Sequence, residues 1–235
     1  MSLQEKLDAF KDAFQKRQPP EVVETMRRAT ADLIASGQAE RALKAGDAAP
    51  AFALADQDGR LVNLQELLAK GTLVLTFYRG TWCPFCNADL QALQAELPAM
   101  EAAGGTMAAI SPQTAVNSRK ALRDNQLTFP ILTDKGNEVA AAFGLRFRLP
   151  DDLIAVYKGF GNDLATVNGE PSWTLPMPAR YVVASDGRIV HAEVNPDYTR
   201  RPEPSTLLPV LRGLRSYGHE RGRAGQHGRM QNTPG

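Results

Sequence analysis

The chain contains only two cysteines, Cys83 and Cys86, and they form a C-x-x-C pair. Residues 72–78 before them are β-branched, leucine and aromatic, as in a strand buried on both faces, whereas Leu93 and Leu97 after them recur at helical spacing. The two sulfurs are therefore predicted at the start of a helix, where unpaired N–H groups and the helix dipole favour an anion. A C-x-x-C cysteine can have a pKa well below the ~8.5 of a free thiol. This position favours attack by one thiolate and closure of a disulfide by the other sulfur.

We predict that Cys83 is the attacking thiolate and Cys86 the resolving thiol, because Cys83 is nearer the helix end, where donors are unpaired and water can reach. A pair of buried structural thiols is the alternative interpretation. A zinc site is disfavoured, since one C-x-x-C provides only two of the four ligands and the chain has no further cysteine. His191 falls in a predicted hairpin, and His219 and His227 fall in a predicted tail. The sequence therefore identifies no Cys–His pair, no metal site and no cofactor site.

Five further side chains are candidates for supporting roles around the sulfurs. Arg79 and Arg180 are able to stabilise a thiolate or orient a peroxide, because guanidinium keeps its charge and has several donors; the alternative is solvated charge at strand ends. Thr81 is predicted to cap the helix, with a hydrogen bond to a bound oxidant as the alternative. Trp82, together with Phe85, flanks the sulfurs and forms either an apolar platform for a partner's disulfide or packing at the helix start.

Composition and charge narrow the classes of protein to which the chain can belong. With 235 residues, 43% of them hydrophobic, it is able to bury the core of one α/β domain with extensions. The formal net charge of +1 and the lack of a basic stripe argue against nucleic acid as a partner. The charged N-terminus and the lack of a long apolar segment argue against a signal peptide or membrane span. We therefore expect a cytoplasmic protein, in which a C-x-x-C near a βαβ pattern indicates redox chemistry.

Residues 1–45 are predicted to form a helical extension. Apolar residues recur on one helical face over 3–14 and again over 22–34, and Pro19-Pro20 separates the two stretches. These helices lie outside the predicted catalytic core. They are able to pack on the domain or on a second subunit, so the sequence leaves a monomer and a homodimer both open.

Residues 46–214 are predicted to form the α/β domain that carries the cysteines. Strands and helices alternate strictly over 72–143, which implies a mainly parallel sheet with helices on both faces. Asp-Gly pairs at 58–59 and 186–187 predict a β-hairpin on either side of this alternation.

Two segments depart from this alternation. Residues 149–177 have a weaker pattern and are predicted as an insertion, with a helix over 151–160 and an otherwise loop-like course. Ser205 is predicted to cap a final helix that ends at Leu214. Residues 215–235 contain few apolar side chains and many Gly and Arg residues, and are predicted to be a flexible tail.

The W-C-P-F-C sequence at residues 82–86, between a strand and a long helix, resembles the thioredoxin superfamily, as does Pro178 before a late strand. Three further stretches resemble segments of the peroxiredoxin family of alkyl hydroperoxide reductases and thiol-specific antioxidants. They are GDAAPAFALADQDGRLVNLQELL, FPILTDKGNEVAAAFGL and YVVASDGRIVHAEVNPDY. These stretches cover roughly residues 46–214, and their specificity lies in the combination. The resemblance implies a thioredoxin-like α/β fold, with a central mixed sheet flanked by helices on both faces and an N-terminal helical extension.

The chain departs from the peroxiredoxin pattern at its signature, Pro-x-x-x-Thr-x-x-Cys. When the signature cysteine is aligned with Cys86, Arg79 replaces the proline and Cys83 replaces the threonine, and alignment with Cys83 does not restore the signature. The resemblance in this register favours the reverse order of attack, with Cys86 first, as the alternative. Pro178 stands where the family has an arginine, and where thioredoxins carry a cis proline beside the C-x-x-C. The resemblance therefore implies a cis peptide bond before Pro178 and a position against the cysteines.

The resemblance implies a thiol-dependent antioxidant oxidoreductase that reduces peroxides through a Cys83/Cys86 dithiol–disulfide cycle. Thioredoxin or a similar dithiol would then reduce the disulfide. A thioredoxin-like protein disulfide reductase is the alternative, and its substrate would dock on Trp82 and Phe85. A redox-sensing module is a third alternative, in which the disulfide changes a partner surface formed by the N-terminal helices or by the insertion near Trp173.

Overall fold

The computed structural model describes residues 1–215, so the predicted tail, apart from residue 215, lies outside the described residues. The helices of the described part are α1 (Leu3–Gln15), α2 (Pro20–Ala35), α3 (Gln38–Arg41), α4 (Leu64–Leu68), α5 (Pro84–Ala102), α6 (Ala115–Asn125), α7 (Glu138–Ala142), α8 (Asp151–Gly159), α9 (Leu164–Asn168) and α10 (207–215). Its strands are β1 (Ala53–Asp56), β2 (Leu61–Asn63), β3 (Thr72–Phe77), β4 (Gly105–Ser111), β5 (Ile131–Thr133), β6 (Arg146–Arg148), β7 (Thr174–Pro176), β8 (Ala179–Val183) and β9 (Ile189–Val194).

Within residues 1–215, seven strands form one sheet in the order β2-β1-β5-β4-β3-β8-β9, and β6 pairs with β7 separately. Strand β4 runs parallel to both of its neighbours, β3 and β5, whereas the other pairings of the large sheet are antiparallel. The predicted mixed sheet is confirmed, but the expectation of a mainly parallel sheet holds only at the centre. The reason is that each predicted hairpin adds antiparallel strands at one edge.

Strand β3, which leads to the cysteines, is buried on both faces of the sheet. Leu73, Leu75 and Phe77 belong to one hydrophobic core, and Val74 and Tyr78 belong to the other, as the alternation of side chains along a strand requires. The core of Val74 and Tyr78 also contains both cysteines. The carboxyl end of β3 is therefore held from two sides.

Helix α5 begins directly after Cys83, with Pro84 at its first position, where a missing N–H leaves no helical hydrogen bond unmade. Leu90, Leu93 and Leu97 are buried in the same core as the cysteines. The predicted helix and its apolar stripe are confirmed, so β3 and α5 hold the C-x-x-C pair at their junction.

The N-terminal helices pack on this domain. Leu3 and Leu7 of α1 are buried in the core that contains both cysteines. Met26 and Ala29 of α2 lie against a third apolar cluster, to which α8, α9 and β7 contribute. The sequence leaves open whether these helices pack on the domain or on a second subunit. In this structure α1 and α2 pack on the domain. Among the described residues, the structure contains no helix with both the length and the apolar character of a membrane span.

The insertion over residues 149–177 is more regular than predicted. Helix α8 matches the predicted helix over 151–160, but the remainder contains helix α9 and strand β7. Strand β7 pairs with β6, which precedes the insertion, and the Asn137 side-chain amide donates to the Thr174 carbonyl oxygen at 3.0 Å. The loop-like expectation is wrong because this order depends on pairing with a separate stretch rather than on a local period.

The final helix also begins later than predicted. Ser205 does not cap it, since Ser205 lies inside a 3₁₀ turn, Pro204–Thr206, that follows Glu203. Proline fixes the backbone at the first position of this turn, so the tight turn has already started before Ser205 is reached. Helix α10 follows, with Leu207 and Leu211 buried in the core of the cysteines.

Candidate active site

Cys83 and Cys86 lie together at the start of α5, as predicted. Cys83 is the N-cap residue and has an extended backbone, while Cys86 lies in the first turn. Their exposures are only 1% and 0%, and both are free thiols. The Cys83 N–H donates to the Gly80 carbonyl oxygen and the Cys83 carbonyl oxygen accepts from the Asn87 N–H, both at 3.1 Å. The backbone around the first sulfur is therefore held on both sides.

Arg79 lies two residues after the end of strand β3 and is buried, with 2% exposure. Its guanidinium carbon lies 4.0 Å from the ring centre of Tyr198, 4.9 Å from that of Trp82 and 5.6 Å from that of Tyr157, whose hydroxyl accepts a hydrogen bond from Nη2. Within residues 1–215, Nε has no hydrogen-bond partner and no ion pair includes Arg79. A buried cation without a carboxylate partner favours an anion nearby, and the Cys83 sulfur is placed to be that anion.

The two thiols differ in their protonation. Burial raises the pKa of Cys83, but hydrogen bonds from the Cys86 thiol and backbone amide, with the positive charges of Arg79 and Arg201, outweigh burial and lower this pKa to about 6. For Cys86, burial and then the hydrogen bond and negative charge of Cys83 raise the pKa well above its ordinary value. At neutral pH the pair therefore consists of a Cys83 thiolate and a Cys86 thiol. The predicted order of attack, which this electrostatic arrangement favours, stays a prediction.

A buried network of charges lies behind Cys86. The Nη2 atom of Arg201 is 3.8 Å from the Cys86 sulfur, and Nε of Arg201 is 3.2 Å from a carboxylate oxygen of Asp89. The other oxygen of Asp89 accepts a hydrogen bond from Arg180, whose Nη1 also lies 3.6 Å from Glu193. One carboxylate, Asp89, thus joins two arginines, of which one touches the second sulfur.

Arg180 therefore matches neither sequence interpretation: it is buried rather than solvated, and it pairs with Asp89 rather than with a sulfur. Sequence reasoning missed Arg201 and Tyr198, which lie in the irregular segment 195–203 after β9. This segment has no helical or strand period. A buried arginine in such a segment has the same local sequence signal as a solvated one, so only packing distinguishes them.

Thr81 does not cap α5, because Cys83 occupies the N-cap position and the cap is made without a side-chain hydrogen bond. Instead, the Thr81 N–H donates to the side-chain oxygen of Gln113, and the Thr81 carbonyl oxygen accepts from the Asn87 side chain, each at 2.8 Å. The capping prediction is wrong because the N-cap position falls at Cys83, two residues after Thr81. The residue fixes the loop before Cys83 through its backbone.

Trp82 and Phe85 both pack on neighbouring aromatic rings. Trp82 meets Tyr157 edge-on at 5.3 Å between ring centres, and Phe85 meets Tyr198 edge-on at 5.5 Å. Gly80 permits the Trp82 position, since a Cβ at Gly80 would lie 2.5 Å from Trp82 Nε1. Both side chains also border the cleft described below, so their packing is shown and the predicted role as a substrate platform stays a prediction.

Pro178 is buried, and the peptide bond before it is trans, since residues 1–215 contain no cis peptide bond. The Met177 N–H donates to the Leu145 carbonyl oxygen at 2.9 Å, and the Pro178 carbonyl oxygen accepts from the Asn195 N–H at 3.1 Å. The predicted cis bond is wrong because the main chain passes from β7 into β8 without a tight turn. Among the described residues, Pro178 lines two cavities, of which one contains Arg79 and neither contains a cysteine.

A cleft of about 310 Å³ leads to Cys83, and we call it the Cys83 cleft. Its domain side includes Arg79, Trp82, Phe85, Tyr157, Phe160 and Tyr198, and its opposite side comes from α1 and α2, with Phe10, Phe14, Val23, Met26 and Ile34. Lys11, Arg27 and Asp197 are the charged side chains nearer its rim among the described residues. The N-terminal helices thus form one wall of the route to the first sulfur, whereas Cys86 does not line this cleft.

The chain matches the model of the family described as "AhpC/TSA family" over residues 45–192, more than half of its length. The chain belongs to the AhpC/TSA family. Peroxiredoxin Bcp of Escherichia coli (strain K12) is 33% identical over 103 residues, which are 44% of this chain and 65% of that protein. Chloroplastic peroxiredoxin Q of Oryza sativa subsp. japonica is 31% identical over 124 residues, which are 53% of this chain and 55% of that protein. The chain thus spans less than two thirds of these relatives.

The fold agrees with membership of the AhpC/TSA family. The crystal structure of peroxidoxin BcpB from Mycobacterium tuberculosis superposes with a TM-score of 0.58 at 21% identity and covers 73% of this chain and 98% of that chain. The predicted thioredoxin-like, peroxiredoxin-like fold is therefore confirmed. Helices α1 and α2 and the segment that carries Tyr198 and Arg201 lie outside the part that the AhpC/TSA family model covers.

Proposed function

We propose that this chain is a thiol-dependent peroxidase, which reduces hydroperoxides through Cys83 and Cys86. The observation that carries the proposal is the position of Arg79, a buried cation without a carboxylate partner, beside Cys83, whose pKa of about 6 leaves it ionised at neutral pH. The thiolate, not the thiol, is the nucleophile that attacks peroxide. Membership of the AhpC/TSA family supports the same class of oxidoreductase.

In the first step, the Cys83 thiolate attacks the terminal oxygen of a hydroperoxide. A sulfur–oxygen bond forms, the oxygen–oxygen bond breaks, and the released alkoxide or hydroxide takes a proton from solvent. The peroxide gains two electrons and Cys83 becomes a sulfenic acid. The partnerless Nε of Arg79 donates a hydrogen bond to the peroxide as negative charge develops on the departing oxygen.

In the second step, Cys86 attacks the sulfenic sulfur of Cys83. The disulfide forms, the sulfur–oxygen bond breaks, and the hydroxide leaves as water after protonation. In the third step, a dithiol of the thioredoxin type reduces the disulfide by exchange, returns both cysteines to thiols and becomes oxidised itself. No metal or further cofactor enters this balance.

The lining of the Cys83 cleft supports hydroperoxides with an apolar substituent as substrates, in addition to hydrogen peroxide. Most side chains on both of its walls are aromatic or aliphatic. Burial of an apolar substituent there contributes roughly 25 cal/mol per Å² of surface removed from water.

The test is single-turnover mixing of the reduced protein with hydrogen peroxide, cumene hydroperoxide or insulin, with loss of free thiols from this chain, measured by alkylation and mass spectrometry, as the readout. We expect two thiols to be lost per peroxide, faster than for free cysteine. Cys83→Ser abolishes the reaction, whereas Cys86→Ser stops at a sulfenic acid that dimedone traps. Thiol loss to either peroxide no faster than for free cysteine contradicts the proposal. Insulin reduction that needs Cys83 would then support a disulfide reductase, and inertness to all three would support a redox-sensing module.

Two further points follow from this proposal. The cytoplasm is the favoured compartment, because the cycle needs a continuous supply of reduced dithiol, and cell fractionation followed by immunoblotting tests this. Both sulfurs of the proposed cycle belong to the same chain, so closure of the disulfide needs no cysteine from a second subunit. Light scattering of the purified protein measures the oligomeric state.

A further inference from the structure

We propose that Arg201 is a catalytic residue for the second thiol: it stabilises the Cys86 thiolate that closes the disulfide, and Asp89 and Gln4 position it. This inference rests on the proposed peroxidase cycle and assigns a group to its second step. Arg201 lies outside residues 45–192, the part of the chain that matches the AhpC/TSA family.

The geometry around Cys86 carries the proposal. Arg201 is buried, and its Nη2 is 3.8 Å from the Cys86 sulfur. Nη1 is held by hydrogen bonds to the Tyr198 and Arg200 carbonyl oxygens at 2.7 Å, and Nε lies 3.2 Å from a carboxylate oxygen of Asp89 as an ion pair without a hydrogen bond. The Nη2 atom takes no part in these contacts and is therefore available to the Cys86 sulfur.

Charge balance explains why the second thiol needs this arginine. Among the described residues that these contacts join, the cations are Arg79, Arg180 and Arg201, all buried, and the carboxylates are Asp89, which is buried, and Glu193, which is partly exposed. One positive charge is in excess, which one thiolate balances. Before peroxide arrives, that thiolate is on Cys83, near Arg79. Once Cys83 is a neutral sulfenic acid, the excess charge favours ionisation of Cys86, and Arg201 is the cation in contact with it.

Helix α1 holds the segment that presents Arg201. The backbone N–H of Arg201 donates to the side-chain oxygen of Gln4 at 3.0 Å, and the side-chain amide of Gln4 donates to the Thr199 carbonyl oxygen at 3.3 Å. Lys11 adds a hydrogen bond to the Thr199 hydroxyl at 3.4 Å. The N-terminal extension therefore reaches the second sulfur through Gln4 and Arg201.

The step balances without any further reactant. Cys86 loses its proton to solvent, the sulfur–sulfur bond forms as the sulfur–oxygen bond of Cys83 breaks, and the hydroxide is protonated to water. Both oxidising equivalents of the sulfenic acid are retained in the disulfide. A cavity of about 130 Å³, whose lining includes Asp89, Arg180, Glu193 and Arg201, lies on this side of the site.

Several titratable groups lie close enough to Cys86 or to its network to influence the pH dependence of this step. Those facing Cys86 or its network are Cys83 and Asp89 on α5, Tyr78 and Arg79 after β3, Tyr157 on α8, Arg180 on β8, His191 and Glu193 on β9, and Tyr198 and Arg201 beyond β9. Burial raises the pKa of each of these tyrosines, so they stay neutral near pH 7. When Arg201 is replaced, a shift in the pH midpoint of disulfide formation therefore reports mainly the ionisation of the Cys86 thiol.

The experiment compares Arg201→Met and Arg201→Lys with Arg200→Met, an exposed neighbour, as the matched control. After one equivalent of peroxide, sulfenic acid is trapped with dimedone and the disulfide is quantified by mass spectrometry from pH 5 to 9. In Arg201→Met we expect disulfide formation at pH 7 to slow about tenfold, as one pKa unit implies, and its pH midpoint to rise. The rate of peroxide attack on Cys83 should change much less than the rate of disulfide formation. Arg201→Lys should restore most of the rate, and Arg200→Met should match the parent protein.

An unchanged rate and pH midpoint of disulfide formation in Arg201→Met overturns the inference, even if thermal stability falls. A second measurement needs no peroxide: the pKa of Cys86 is titrated by thiolate absorbance at 240 nm in a Cys83→Ser background, with Cys83→Ser/Cys86→Ser as the blank. Arg201→Met should raise this pKa and Gln4→Ala should raise it less; no rise in Arg201→Met refutes the role of Arg201. This titration decides the inference even if the parent protein fails to reduce peroxide.

Discussion

Among the individual residues of the site, Arg79 is distinguished by its partners. Arg180 and Arg201 share the carboxylate of Asp89, whereas Arg79 lies against the rings of Tyr198 and its aromatic neighbours. Aromatic faces offset part of the cost of burying a guanidinium, because its charge is delocalised and weakly hydrated. They do not neutralise that charge. The positive charge of Arg79 therefore lowers the pKa of the nearby Cys83 thiol.

Replacement of Arg79 by Met should raise the pKa of Cys83 by about one unit or more, since the cation that favours the thiolate is lost. The thiolate fraction grows as pH rises through this pKa. The rate of peroxide attack in the parent protein should therefore level off above about pH 6, and that of the variant at higher pH. At pH 7 we expect the thiolate fraction, and with it the rate of attack, to fall about twofold for a rise of one pKa unit and about tenfold for a rise of two units. Absorbance at 240 nm gives the pKa, and stopped-flow thiol loss gives the rate.

Arg123→Met is the control for the Arg79 variant, because Arg123 is an exposed arginine on α6 outside the site. It should leave both the pKa and the rate unchanged. A pH midpoint in Arg79→Met equal to that of the parent protein would show that Arg79 does not act on the Cys83 thiolate.

At the scale of elements, α1 and α2 form a wall of the Cys83 cleft rather than a separate appendage. Phe10 and Ile34 are large apolar residues of these helices that border the cleft and remain 48% and 49% exposed. An exposed apolar side chain beside a reactive thiol contributes little to stability, but it can contact the apolar part of a substrate.

Phe10→Ser should therefore change substrate preference more than stability. We expect kcat/KM for cumene hydroperoxide to fall about fivefold, because roughly 1 kcal/mol of apolar contact is lost, and kcat/KM for hydrogen peroxide to stay within about twofold. Steady-state peroxide consumption with a saturating dithiol measures both values. Val116→Ser, on α6 and also exposed, serves as the control. Equal losses for the two peroxides would exclude a substrate contact at Phe10.

At the scale of the whole molecule, the N-terminal extension and the α/β domain share one core. Leu3 and Leu7 are buried in the cluster that also contains both cysteines and the leucines of α5. Gln4 and Lys11 tie the same helix to the segment after β9. Elements from the two ends of the described chain thus meet over the active site, and they should unfold together.

Leu7→Ala should lower the free energy of unfolding by about 2–4 kcal/mol, the usual cost of a cavity in a packed core. Urea unfolding should remain one transition, with circular dichroism and tryptophan fluorescence giving the same midpoint. Ile34→Ala, at a half-exposed position of α2, should cost much less. Two separated transitions in the parent protein would show that α1 and the domain are independent units.

Local signals in the sequence were sufficient for the frame of the site. The C-x-x-C pair, the buried strand over 72–78 and the leucine stripe of α5 predict the strand–helix junction that holds Cys83 and Cys86. The Asp-Gly pairs at 58–59 and 186–187 predict both hairpins of the sheet. Each of these signals depends on side-chain periodicity or turn chemistry within about ten residues, so it can be read without knowledge of the fold.

The partners of the two sulfurs were decided by the tertiary structure. Arg201 contacts Cys86 across 115 residues of sequence, and Gln4 contacts Arg201 across 197. The course of the chain before Pro178 and the pairing of β6 with β7 likewise depend on segments that meet only after folding. Whether an arginine is solvated or buried against a thiol is set by the packing of distant elements, and no local period of the sequence records that packing.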